Sequence, residues 1–202
     1  MVNKLMNPRP VNGIVLAGGL SSRAKANKML FVVDDTYLIV HTINRIRPFV
    51  DNIYVVTGRY DKEDREALKD IKDIHFLYNE NYNDGMYSSI CCGLKNTTGD
   101  ILLIPGDVPF VSADTYKALL KGHDKFRAPA YKGQTGHPIF LDESLRNDII
   151  AHQEYKRLRD YRNAIGFETI DVDDEFITLD CDTELDLELI KNKLKEQKLW
   201  MH

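Results

Sequence analysis

The sequence lacks any hydrophobic run that approaches the roughly 18 apolar residues of a membrane span. Its amino-terminal residues, MVNKLMNPRP, also lack the apolar core of a signal peptide. It has only three cysteines, two of them adjacent at Cys91 and Cys92, which form neither a disulfide framework nor the spacing of a zinc site. We therefore expect a cytoplasmic protein with no membrane partner.

An excess of positive charge is missing as well. The chain has 27 Lys and Arg against 31 Asp and Glu, which gives a net charge of -4. This balance argues against a nucleic-acid partner. Low-complexity tracts, long linkers and internal repeats are absent too, and 43% of the 202 residues are hydrophobic. A composition of this kind predicts one globular domain over residues 1–202.

Apolar runs typical of strands alternate with patterns typical of helices. The runs are GIVLA, NIYVVTG, IHFLYN and DILLIPG, and a helical pattern follows each. This alternation indicates βαβ units with a parallel sheet covered on both faces. Beyond residue 125, FRAPAY and HPIFL predict an antiparallel pair, Asp142 to Arg162 a helix, FETIDV and FITLDCD two strands, and Thr183 to Lys198 a final helix. We predict a three-layer α/β domain with a mostly parallel central sheet and an antiparallel carboxy-terminal portion.

A glycine-rich turn follows the first predicted strand. The run IVLAGG over residues 14–19 leads into a polar loop that contains Ser21, Arg23 and Lys28. The backbone amides of such a turn can point at an anion. Arg23 adds a planar guanidinium group, and Lys28 adds the compact charge of an ammonium group. The alternative is a plain turn with solvated basic residues. An exposed loop lysine adds little stability, so replacement of Lys28 should cost more in rate than in folding.

A second candidate is Asp107, which lies between turn formers at the end of the apolar run ILLIPGD. A carboxylate at the carboxyl end of a buried strand, close to a phosphate chain, suits Mg²⁺, which prefers one or two carboxylates with phosphate oxygens and water. A plain turn is the alternative, since Gly-Asp before Pro is good turn chemistry. Because Asp107 is expected to lie near the glycine turn, the interpretation as a Mg²⁺ ligand is favoured over a plain turn.

A third candidate is the segment that ends at Thr183. If FITLDCD is a strand, Asp180 and Asp182 lie on one of its faces. One of Asp182 and Thr183 is expected to cap the following helix, with Asp186 in its first turn. Two carboxylates on one face are unfavourable without a cation, so Asp182 is a candidate second ligand of Mg²⁺.

Two smaller sites lie elsewhere in the chain. Ser88 and Ser89 stand at the start of a predicted helix, where they either cap it or bind an anion or a base edge. His137 lies in a loop that turns into a strand, and a lone histidine in such a place is more often structural than catalytic.

Five motifs, in this order, carry a family resemblance. They are LAGGLSSR, GMYSSICCGL, GDVPF, GHPIF and DCDTELDL. Together they resemble the molybdenum cofactor cytidylyltransferase family, within the larger group of molybdenum cofactor nucleotidyltransferases. The first matches the nucleotidyltransferase signature L-A-[AG]-G-x-S-x-R-x-x-x-x-K at the residues Leu16, Ala17, Gly18, Gly19, Ser21, Arg23 and Lys28.

The resemblance implies a Rossmann-like fold and Mg²⁺-dependent transfer of CMP from CTP to molybdopterin, with release of pyrophosphate. It implies that the glycine turn, Arg23 and Lys28 hold the triphosphate and that Ser89 lies by the base. His137 is then expected to face the pterin. The two metal ligands that the resemblance implies are Asp107 and Asp182.

Several alternatives stay open. Gly18 gives the spelling LAGG, typical of the guanylyl branch, whereas the SSI and GHP motifs favour the cytidylyl branch. If CTP is used, Gly18→Ala should be tolerated. A sugar-phosphate nucleotidyltransferase would share the fold. Ala24-Lys25 replace a bulky apolar residue and glycine of the family, which leaves room for a non-catalytic nucleotide- or pterin-binding accessory protein of a client molybdenum hydroxylase.

Overall fold

A mostly parallel sheet forms the centre of the computed structural model, which describes residues 9–19, 26–152 and 154–200. The strands are β1 Val11–Leu16, β2 Val32–Val33, β3 Thr36–Tyr37, β4 Asn52–Thr57, β5 Ile74–Tyr78, β6 Asp100–Pro105, β7 Phe126–Tyr131, β8 Gln134–Thr135, β9 Ile139–Leu141 and β10 Glu168–Asp171. The order across the main sheet is β10-β7-β9-β6-β1-β4-β5, with β8 paired to β7, while β2 and β3 form a separate hairpin.

The helices follow the strands, as the alternating pattern predicts. They are α1 Leu38–Ile46, α2 Asp61–Ala67, α3 Met86–Lys95, α4 Ala113–Lys121, α5 Arg146–Ala151, α6 Leu158–Ile165 and α7 Glu184–Trp200. Short 3-10 helices lie at residues 28–30, 47–49, 82–84, 143–145 and 175–178. None of the described helices combines the length and the apolar character that crossing a membrane requires.

Helices cover both faces of the sheet. Neighbouring side chains of β1 and β6 enter two different apolar clusters: Val15 and Leu102 pack with side chains of α1 and α4, and Ile14 and Leu103 with side chains of α3, α5 and α6. Since successive side chains of a strand point to opposite faces, the two clusters lie on opposite sides of the sheet. The predicted three-layer arrangement is confirmed.

The carboxyl ends of the central strands meet at one edge, which positions the candidate site. β1 is parallel to β4 and β6, and β4 is parallel to β5. The turns after β1 and β6 touch, because the backbone N–H of Gly106 donates to the carbonyl of Leu16 at 2.9 Å. Ligands of open α/β sheets bind outside this edge.

The carboxy-terminal part differs from the sequence prediction in three places. The antiparallel pair of β7 and β9 is confirmed, but β10 is parallel to β7. The predicted helix over 142–162 is interrupted between α5 and α6. The prediction of a strand over FITLDCD is wrong, since residues 175–178 form a 3-10 helix that begins where the Asp174 carboxylate accepts the N–H of Phe176 at 3.1 Å.

A third apolar cluster joins the last helix to the carboxyl edge of the sheet. Phe110, from the turn after β6, packs with Phe176, Cys181 and Ile190 of the carboxy-terminal segment, and Val33 of the β2–β3 hairpin belongs to the same cluster. The segment between residue 176 and α7 is therefore held against the turn that carries Asp107.

Candidate active site

Three segments distant in sequence meet at the side chain of Lys28. Its Nζ lies 2.7 Å from Oδ1 of Asp182 and also pairs with Oδ2 of Asp107. The Lys28 side chain is 15% exposed and that of Asp182 is 17% exposed. The residue Asp107 is 3% exposed. The structure thus brings the three charged residues from three different motifs into one ion-pair cluster.

Lys28 itself is positioned by a cap and a buried carboxylate. It begins the 3-10 helix at residues 28–30, where the Asn27 side chain accepts the N–H of Met29. The Asn27 amide in turn donates to Asp64 of α2 at 2.8 Å. Asp64 is fully buried. The prediction that Lys28 is an exposed loop lysine is therefore wrong, since the helix start and the ion pairs hold it in a largely buried position.

Asp182 is positioned by the start of α7. Thr183 and Asp186 form a reciprocal cap, in which the Asp186 carboxylate accepts the N–H of both Asp182 and Thr183 and the Thr183 hydroxyl accepts the N–H of Asp186. The neighbouring N–H of Cys181 donates to the carbonyl of Asp107 at 3.1 Å. Thr183 and Asp186 therefore do the capping, while the Asp182 carboxylate pairs with Lys28.

The carboxylates stabilise the charge of Lys28, whereas burial raises the pKa of Asp107 despite the neighbouring Lys28. Burial lowers the pKa of Lys28, but Asp107 and Asp182 more than offset it, so that the pKa is raised above the ordinary value of 10.5. Among the described residues no group of three or more His, Cys, Asp or Glu is arranged to hold a metal ion. Two carboxylates that converge on one cation nevertheless fit Mg²⁺, which takes oxygen ligands and completes its shell with phosphate and water.

The glycine turn lies beside Ser89 at the same edge. Leu16 and Ala17 are buried. The N–H of Ala17 donates to the carbonyl of Val56 at 2.8 Å, which continues the strand ladder into the turn. A Cβ on Gly18 would lie 2.7 Å from Oγ of Ser89, whereas one on Gly19 would meet no atom of the described residues within 4 Å. Gly18 therefore allows the turn to pass close to Ser89, and the predicted residues Ser21 and Arg23 lie outside the described residues.

The two serines at the start of α3 have different partners from those expected of capping residues. Gly85 occupies the cap position, with no side-chain cap. The Asn79 amide, just after β5, donates to Oγ of Ser88 at 2.9 Å and to Oγ of Ser89 at 3.0 Å. Sequence reasoning missed Asn79. The available signal was a polar residue immediately after a strand that ends at the carboxyl edge.

His137 lies at the same edge, next to the segment that leads to Asp182. Its N–H donates to the carbonyl of Ile177 at 2.8 Å. Burial, together with the charge of Arg162, lowers the pKa of His137 to about 4, so the ring is neutral at pH 7. Its Nδ1 is buried and has no hydrogen-bond partner among the described residues. Arg162 on α6 carried no sequence signal that linked it to His137.

The titration of Asp64 gives a prediction about stability and pH. Its pKa is raised from 3.8 to about 6, mainly by burial; the hydrogen bond from Asn27 opposes this shift, and the charges of Glu63 and Asp61 add to it. The protonated acid is thus favoured in the folded state, and stability falls as pH rises from about 4 to about 6. The corresponding free energy is ~3 kcal/mol. In Asp64→Asn this loss is absent, so the free energy of unfolding of the variant relative to the parent should rise by that amount across this interval and stay constant above it.

Urea unfolding of both proteins between pH 4 and pH 8 measures this difference, with Asp114→Asn, an exposed aspartate of α4, as the control. A difference that does not change with pH would contradict the burial of an ionisable Asp64.

The fold and the charged cluster together define a class of protein. The chain is a Rossmann-like α/β protein in which a glycine turn, a lysine and two aspartates meet at the carboxyl edge of a parallel sheet. Such an edge is where nucleotides bind in this class of fold.

Comparison with known proteins identifies the family. The model of the MobA-like NTP transferase domain matches residues 13–169. The molybdenum cofactor cytidylyltransferase of Escherichia coli K12 is 24% identical over 188 residues, which is 92% of this chain and 98% of that protein. A molybdenum cofactor guanylyltransferase of Shewanella baltica OS155 is 30% identical over 154 residues, 71% of this chain and 75% of that protein.

Solved structures agree with the fold. A nucleotidyl transferase from Methanothermobacter thermautotroptrophicus superposes with a TM-score of 0.81 at 18% identity, over 93% of this chain and 99% of that one. The chain belongs to the MobA-like NTP transferase family and is a nucleotidyltransferase.

Proposed function

We propose that the protein transfers CMP from CTP to molybdopterin, with Mg²⁺ as the metal and pyrophosphate as the leaving group. The observation that carries the proposal is the convergence of Lys28, Asp107 and Asp182 beside the glycine turn. The match to the cytidylyltransferase of Escherichia coli along 92% of the chain supports the choice of reaction.

In this proposal each residue has a defined task. The amides of the turn at Gly18 and Gly19, with Arg23 and Lys28, hold the triphosphate. Asp107 and Asp182 hold Mg²⁺, which neutralises phosphate charge when bound. A phosphate oxygen of the acceptor attacks the α-phosphorus of CTP and pyrophosphate leaves. That oxygen is already ionised at pH 7, so positioning and charge neutralisation supply the catalysis without a general base.

His137 is proposed to face the pterin. A ring that is neutral at pH 7 can exchange a hydrogen bond with a heterocycle, and it would do so through Nε2, because Nδ1 is buried. It places no positive charge beside the acceptor phosphate, which keeps the phosphate-binding role with Lys28 and Arg23.

Pyrophosphate release with CTP, GTP, ATP and UTP, each with and without molybdopterin, tests the reaction. We expect release with CTP that depends on both molybdopterin and Mg²⁺. Release with a sugar phosphate as acceptor would instead identify a nucleotide-sugar enzyme. Nucleotide or pterin binding without any release would identify the accessory protein.

GTP is the second candidate nucleotide, and Gly18 is the observation that favours it. The motif LAGG is typical of the guanylyl branch, and the relative from Shewanella baltica with 30% identity is a molybdenum cofactor guanylyltransferase. A kcat/KM ratio that favours GTP over CTP would assign the chain to that branch and would leave the proposed phosphate and metal residues unchanged.

Gly18→Ala distinguishes two predictions, one from the sequence of the motif and one from the packing of Gly18 against Ser89. Sequence alone predicts that the change is tolerated with CTP. The structure predicts otherwise, because the new methyl carbon would lie 2.7 Å from Oγ of Ser89, a buried oxygen that Asn79 holds in place. We expect a loss of roughly 10-fold or more in kcat/KM for whichever nucleotide the parent prefers, in line with the 1–3 kcal/mol that overpacking costs.

Steady-state pyrophosphate release measures that loss, and thermal unfolding of the same variant distinguishes a local effect on the site from a loss of stability. Unchanged kinetics in Gly18→Ala would mean that Ser89 can move aside freely.

A further inference from the structure

Asn79 is buried, and its backbone N–H and both ends of its side-chain amide are hydrogen-bonded. The residue follows β5 directly and is 4% exposed. Its backbone N–H donates to the carbonyl of Thr57 at 3.0 Å. Its side-chain oxygen accepts the N–H of Asn81 at 3.0 Å. This contact sets the orientation of the amide, because the opposite orientation would place an NH₂ group against an N–H.

The two amide hydrogens of Asn79 therefore point at the two serines. One is donated to Oγ of Ser88 at 2.9 Å and the other to Oγ of Ser89 at 3.0 Å. A serine oxygen that accepts from an amide uses one lone pair for that bond and directs its own hydrogen away from the amide. Asn79 thus prevents both hydroxyl groups from donating to it and restricts the directions that their hydrogens can take.

The hydroxyl hydrogens of Ser88 and Ser89 differ in the acceptors that surround them. Ser88 donates to the carbonyl of Gly85 at 2.8 Å or to that of Asn81 at 2.7 Å. Ser89 is 3% exposed, and its Oγ makes one described hydrogen bond, the one that it accepts from Asn79. Oγ of Ser89 also lies beside Gly18, at the start of the glycine turn. Its hydrogen is thus available to a ligand bound at the turn.

We propose that Asn79 is a positioning residue for base selection. It presents the Ser89 hydroxyl as a hydrogen-bond donor, so that the site favours a nucleobase with an acceptor atom at this point, such as O2 or N3 of cytosine. The inference rests on the proposed function, because it takes a nucleoside triphosphate to bind with its base next to Ser89, as the family resemblance implies. It goes beyond it in naming the residue that decides which way this hydrogen bond runs.

Asn79→Asp is the sharpest test. The change keeps the shape of the side chain but replaces the NH₂ group that donates to the serines with an oxygen that can only accept. A carboxylate only accepts, so the Ser89 hydroxyl would donate to Asp at position 79 and turn its lone pairs towards the base. We expect kcat/KM for CTP to fall roughly 10- to 100-fold through KM, and the preference for CTP over GTP to shrink. Inhibition by inorganic tripolyphosphate, which has no base, should not change.

A double-mutant cycle with Ser89→Ala separates this role from a structural one. In the Ser89→Ala background the further change Asn79→Asp should cost less than twofold, because the hydroxyl through which Asn79 acts is gone. Asn79→Ala, which adds no buried charge, provides the same comparison if Asn79→Asp unfolds. Asn96→Asp, an exposed change at the end of α3, controls for added negative charge.

Equal losses in both backgrounds, or a parallel loss of tripolyphosphate inhibition, would overturn the proposal. Calorimetric affinities for CTP and GTP give the same comparison if the parent binds nucleotides without turnover, in which case the proposed reaction fails and the role of Asn79 can still hold. A parent that binds no nucleotide would refute both.

Discussion

Asp107→Asn is expected to lower Mg²⁺-dependent turnover by on the order of 10³-fold or more while the protein stays folded. Asp107 is 3% exposed and shares the Lys28 ammonium with Asp182. The amide keeps the size of the side chain but removes the charge that a divalent cation needs. Lys28 keeps Asp182 as its partner, so the ion pair is weakened without being abolished.

Pyrophosphate release across a Mg²⁺ titration, with thermal unfolding of the same samples, measures both parts of this prediction. Asp114→Asn provides the control, because that carboxylate is 90% exposed. Near-normal turnover of Asp107→Asn at limiting Mg²⁺ would show that the metal assignment is wrong.

Lys28→Met is expected to act in opposite directions on metal binding and on turnover. Without the ammonium, Asp107 and Asp182 face each other in a largely buried place, and removing one partner of such an ion pair costs ~3–5 kcal/mol of stability. A divalent cation can replace the lost charge. Metal binding to the nucleotide-free variant should therefore be tighter than in the parent, whereas turnover should fall because the triphosphate loses a cation.

Calorimetry with MnCl₂ and thermal unfolding with and without the metal test this pair of effects. Added Mn²⁺ should recover most of the lost stability in Lys28→Met and little in the control Lys117→Met, whose side chain is 43% exposed. Metal affinity that is unchanged or weaker in Lys28→Met would refute the view that lysine and metal share the two carboxylates.

Much of the fold could be predicted because its signals are local. β1 and β6 are mostly apolar and are buried along their whole length, as central parallel strands require. The start of α4 is equally local, since Ser112 caps it by accepting the N–H of Thr115. Placing the Gly18 turn and Asp107 at the same edge needed only the rule that parallel strands end together.

The segment before α7 could not be predicted for a physical reason. Alternating apolar and polar residues in FITLDCD fit a strand, yet Phe176 and Ile177 are both buried by tertiary packing and no described strand pairs with this segment. The Asp174 cap then closes a 3-10 helix over residues 175–178. Tertiary packing overrode the period-two pattern, and Asp182 reached the site from a capped helix start and not from a strand face.

The sequence by itself determined the order of elements, the glycine turn and the residue types that meet at the carboxyl edge, because each depends on side chains within a few positions of one another. Only the tertiary structure decided that Lys28 pairs with Asp182, 154 positions away, and that Asn79 orients Ser89. Such contacts depend on the order of strands in the sheet and on how α7 packs against the turn at Phe110. A pattern of neighbouring residues carries no information about either.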